Sequence, residues 1–103
     1  MNANPNPSYL FLRHQLFYMS NPLHLIPGQK YKIIKPFTDY DGHVHEAGNT
    51  WTFVETNFLP YEDGLTVHLR LDDNPKVLLF RLQWRQDQQA DIIENFRDYA
   101  EPC

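Results

Sequence analysis

Apolar side chains recur at every second position through most of the middle of the chain. Over residues 29–37, Tyr31, Ile33 and Phe37 fall on one side and Lys30 and Lys32 on the other, the period of a strand with one face buried. Residues 49–58 read the same way, with Trp51 and Phe53 set against Thr52, Val54 and Thr56. The cleanest alternation is at residues 65–71. There Leu65, Val67, Leu69 and Leu71 interleave with Thr66, His68 and Arg70, so one face belongs to a core and the other to water. Residues 77–83 are apolar on both faces except for Arg81. Turn residues punctuate the series: Pro27-Gly28, Asp41-Gly42, Gly48, Asp63-Gly64 and Asp72-Asp73-Asn74-Pro75. Four consecutive strands with short connections predict an antiparallel meander. One long polar loop early in it, with glycines at the turns, predicts a strongly bent SH3-like barrel over residues 29–83.

The period changes at both ends. Residues 1–7 are rich in Asn and Pro and form no regular structure, so they are expected to be a mobile tail. Ser8 is placed to cap a helix over residues 8–19, with Pro22 beyond its end. Tyr9, Leu12, Leu16 and Met19 share one face of that helix, Leu10 and Phe17 a second, and Phe11 and Tyr18 a third. A short helix apolar nearly all round must be buried on several sides. It is therefore expected either to dock on the barrel or to meet a partner, a homodimer through residues 8–19 included. Residues 85–100 predict a second helix, with Ile92, Ile93, Phe96 and Tyr99 facing inward and Asp87, Asp91, Glu94, Asp98 and Glu101 forming a solvated stripe. Trp84, at the preceding junction, is expected to anchor it, and its indole N–H then needs a partner. The expected fold is thus α+β with a mainly β core: a small SH3-like barrel flanked by an N-terminal and a C-terminal helix, one domain over residues 8–103.

Composition narrows the function classes. A chain of 103 residues supports one modest core. Its 42% hydrophobic and 15% aromatic residues make that core credible. A net charge of −4 argues against a phosphate-binding surface, hence against a nucleic-acid partner. Cys103 is the single cysteine, which leaves no internal disulfide and no thiolate metal cage. The apolar run at residues 9–12 is too short for a leader or a membrane span, so a soluble cytoplasmic protein is expected.

The pattern Phe37-x-Asp39-x-Asp41-Gly42-x-x-His45-x-x-Gly48-x-x-Trp51-x-Phe53, followed by Leu59-Pro60-Tyr61-x-Asp63-Gly64-Leu65-Thr66, resembles a family of small, mostly bacterial domains of unknown function. The resemblance covers about residues 28–82. It implies domain limits and assigns no catalytic residue.

Three constellations carry candidate chemistry. Asp41, His43 and His45 alternate in the polar loop, with Asp39 and Glu46 beside them; imidazole with carboxylate suits Zn²⁺, Ni²⁺ or Fe²⁺. The alternative is a solvated loop whose aspartates cap their own turns. Asp39, Asp41, Glu62 and Asp63 offer carboxylates for acid–base work, but no nucleophile elbow, phosphate-cradling loop or His-Glu-x-x-His accompanies them. Tyr40 and Tyr61 sit in two loops expected to flank one groove, rimmed by Asp39, Asp41 and Asp63. Aromatic rings with a carboxylate rim suit an extended Pro-rich or basic peptide. The reading that follows is a non-enzymatic protein- or peptide-binding module without cofactor, using Asp39, Tyr40, Asp41, Tyr61 and Asp63. A metal-binding protein or metal-dependent enzyme built on Asp41, His43 and His45 is the alternative, and an acidic, toxin-neutralising protein is another.

Overall fold

The computed structural model describes residues 21–103. The tail, the helix expected at residues 8–19 and the dimer contact assigned to it lie outside the described residues.

Strands β1 (Lys30–Ile33), β4 (Thr50–Leu59), β5 (Gly64–Arg70), β6 (Val77–Gln83) and β7 (Ala100–Pro102) form one antiparallel sheet in the order β6-β5-β4-β1-β7. Strands β2 (Phe37–Thr38) and β3 (Val44–His45) make a separate hairpin. The strand expected over residues 29–37 is therefore two. Pro36 lacks an N–H to continue a ladder, and the N–H groups of Ile34 and Lys35 both turn to the Tyr99 carbonyl, at 2.8 and 3.3 Å.

The sheet packs one face against a core of Tyr31, Ile33, Trp51, Phe53, Leu65, Val67, Leu69, Phe80 and Leu82, closed from the other side by Phe37, Ile93, Phe96 and Tyr99. Strand β5 keeps the expected alternation, with Leu65, Val67 and Leu69 buried. Strand β4 does not keep its own. The register against β5 slips between Phe53 and Glu55, so Val54 is an extra residue. Beyond it the parity reverses, and Thr56, expected on the outer side, is buried. Phe58 then joins the core margin and meets Trp84 edge-on, ring centroids 5.8 Å apart.

The SH3-like barrel is not formed. Closure requires the outer strands of the β1–β6 run to find each other, and both of those edges are taken by other segments of the chain. Strand β7 pairs along β1, with Ile33 opposite Ala100, and Cys103 N–H adds a bond to the Lys30 carbonyl at 3.0 Å. On the other edge, Tyr40 N–H reaches the Arg81 carbonyl at 2.8 Å, and Gln89 brackets Gln83 with its side chain and backbone. The sheet stays open.

The helix expected at residues 85–100 is also absent as such. It reduces to α1 (Ala90–Glu94), a 3-10 turn (Phe96–Asp98) and strand β7. Asn95 stops α1: its side chain donates to the Asp91 carbonyl and carboxylate, both at 3.0 Å, competing with continuation of the helix. The apolar spacing still works, because Ile93, Phe96 and Tyr99 are all buried. Trp84 donates its indole N–H to Glu94 at 2.8 Å, tying the strand end to α1.

Candidate functional site

The polar loop folds into a hairpin because its sequence encodes one. Asp39 N–H bonds the His43 carbonyl at 2.9 Å and Gly42 N–H the Asp39 carbonyl at 3.1 Å, closing a tight turn. Gly42 takes φ +88°, the left-handed region this three-residue loop demands. The Asp39 side chain turns inward and is 1% exposed. Its Oδ1 accepts the N–H groups of Asp41 and His43 at 2.9 and 3.0 Å. Its Oδ2 meets His45 Nε2 at 2.9 Å. His45 is held flat against Phe37, ring centroids 4.5 Å apart, with Phe80 at 4.4 Å. Asp39 is thus the internal brace of the hairpin and stands apart from any peptide rim.

The hairpin tip and the β4–β5 turn meet across the end of β6. Tyr40 comes from the first. Tyr61 comes from the second, a 3-10 turn over Pro60–Glu62, and is 81% exposed. Both rings line one groove of about 450 Å³, together with Arg81, Gln83, Arg85 and Glu62. The Arg81 guanidinium lies 5.7 Å from the Tyr40 ring centroid. Asp41 grips Arg81 with both carboxylate oxygens, one of them on Nε at 3.0 Å. That contact pulls the Asp41 carboxyl below its ordinary value and raises Arg81. Asp63, in the left-handed region at φ 50°, takes Arg85 Nε at 3.0 Å. The expected acidic rim is therefore a pair of Asp–Arg ion pairs.

A second cavity, of about 370 Å³, lies on the far side of the hairpin. Its floor is Trp51, Leu69, Leu71, Leu78 and Phe80, and Asp39, His43, His45, Asn49 and Thr50 stand at its rim. The Trp51 indole N–H is buried and has no hydrogen-bond partner among the described residues. Among those residues no set of three or more His, Cys, Asp or Glu could hold a metal ion. Asp41 turns to Arg81, His45 to Asp39, and the His43 side chain is 81% exposed.

The sequence model for a domain of unknown function, DUF3601, matches residues 14–102. The chain belongs to that family. The match reaches past both ends of the stretch that carried the resemblance, so α1 and β7 lie within the family domain. The fold is similar to that of an integron cassette protein from the mobile metagenome of Vibrio cholerae. That likeness has a TM-score of 0.72 and 29% sequence identity, over 77% of this chain and 88% of that one. No curated protein matches. No helix among the described residues is long and apolar enough to cross a membrane.

Of the five residues expected at the groove, the DUF3601 fold brings Tyr40 and Tyr61 to it directly. Asp41 and Asp63 reach it through the arginines they hold, and Asp39 faces the other cavity. Arg81 and Arg85 were not expected there. Arg81 carried a signal: it is the one charged side chain in an otherwise apolar strand. Arg85 carried none, because it read as the first residue of the helix expected over residues 85–100.

Proposed function

We propose that this chain is a non-enzymatic binding module that holds an extended segment of a partner protein in the groove between Tyr40 and Tyr61. One observation carries the reading: two tyrosines 21 residues apart in sequence, from separate turns, line the same groove, beside Arg81 and Arg85. Rings of this kind accept the flat face of a proline or the stem of a long side chain, and little ordering is needed on the module's side. Asp41 and Asp63 neutralise Arg81 and Arg85, so the groove presents ring faces with little net charge and suits a Pro-rich segment. The chain's charge of −4 favours a protein over a nucleic acid as partner.

Selection from a displayed library of Pro-rich and basic peptides tests this. The selected peptide should bind Tyr61→Ala more weakly by about 2 kcal/mol, near 30-fold, while the exposed position leaves the melting temperature unchanged. A library that yields no binder, or a binder that ignores the substitution, refutes the groove.

A further inference from the structure

The geometry points to a second, separate binding site: the cavity beneath the β2–β3 hairpin takes a small apolar molecule bearing one weakly acidic O–H, a phenol. An ionised carboxylate only accepts hydrogen bonds. The bond between Asp39 Oδ2 and His45 Nε2, 2.9 Å long, therefore places the hydrogen on Nε2. In the neutral ring, Nδ1 is then the acceptor. No described residue bonds Nδ1, and the His45 side chain keeps 17% of its surface exposed where it lines the cavity. An imidazole locked by stacking on Phe37 and aligned by a buried carboxylate is a preorganised acceptor for a ligand's O–H.

The remainder of the cavity sets the ligand's body. Trp51, Leu69, Leu71, Leu78 and Phe80 offer only apolar surface. At about 370 Å³ the cavity falls at the small end of the roughly 300–1,000 Å³ common for small-molecule sites, room for one or two rings. An apolar floor with a few polar groups at its rim, here His45 held in place beside Asp39, His43, Asn49 and Thr50, is the composition such sites have. A structural brace alone needs only the Asp39–His45 bond and no open cavity beside it.

The test is a titration followed by ¹H–¹⁵N NMR of the full chain at mildly alkaline pH, where the imidazole is neutral, using 4-chlorophenol, which keeps its O–H there, and chlorobenzene as the match lacking the O–H. Saturating shifts are expected at the Trp51 indole and the His45 ring with 4-chlorophenol, and binding about tenfold weaker with chlorobenzene. Leu71→Trp adds bulk to the cavity lining from a half-exposed position, and it should abolish binding of both. His45→Phe keeps the stacked ring but removes the acceptor; where it folds, it should bring the two affinities together. Equal affinity of the wild type for both compounds, an absence of saturating shifts at Trp51 and His45, or unchanged binding to Leu71→Trp overturns the site.

Discussion

Replacing Asp39 with Ala removes the brace of the hairpin. Three contacts go at once: the bonds from the N–H groups of Asp41 and His43 and the contact with His45 Nε2, all between 2.9 and 3.0 Å. A hydrogen bond to a charged acceptor contributes about 1.5–3 kcal/mol, and a buried donor left without one costs a similar amount. The two N–H groups lie at a turn, where water entering the vacated space recovers part of that. The net loss is then about 3 kcal/mol, a large share of the roughly 5–15 kcal/mol that stabilises a domain. For a chain of this size that lowers the melting temperature by roughly 12–24 °C. Asp39→Asn is the informative companion. Its amide oxygen still accepts from both N–H groups, and its NH₂ donates to His45 in the opposite tautomer, so the loss should fall to about 1 kcal/mol. Thermal unfolding by circular dichroism reads both variants, and amide exchange at Asp41 and His43 locates the loss. An Ala variant melting within about 3 °C of wild type, or an Asn variant as damaged as the Ala one, would refute the brace.

Two further predictions rest on the sheet. Val67→Asp places an unpaired carboxylate at a position with no exposed surface, and should lower stability by more than about 4 kcal/mol or prevent folding, read by chemical denaturation; near-wild-type stability would show the β5 register to be wrong. Arg81 holds the Asp41 carboxyl below its ordinary 3.8, so the pair stabilises fully above that pH and the contribution is lost as pH falls through the depressed value. Stability of wild type and Arg81→Gln should therefore converge in acid and separate toward neutrality, and parallel profiles from neutral to strongly acidic pH would show that the pair contributes nothing.

Both proposed sites lean on the β2–β3 hairpin from opposite sides. Asp39 and His45 hold its inner face, while Tyr40 and Asp41 present its tip. A substitution at Asp39 should therefore disturb both sites, whereas Tyr61 and Leu71 separate them.

By itself the sequence determined the inner face of β5 and the turns at Gly28, Gly42 and Asp63-Gly64. Each of these depends on local period or on backbone conformations that few residues adopt. It also determined that Ile93, Phe96 and Tyr99 face inward, because that spacing serves a short helix, a 3-10 turn or a bend equally well. Tertiary structure alone decided the rest. The bulge at Val54 reverses the parity of β4 without any Gly or Pro to announce it, since it answers to the partner strand. The competition of β7 for the edge of β1 keeps the barrel open, and that pairing joins residues about 70 positions apart, beyond the reach of any local pattern. The two aspartates of one turn, Asp39 and Asp41, read alike in sequence. The sheet buries the first against His45 and gives the second to Arg81, because only the packed hairpin defines which side of the turn is inside.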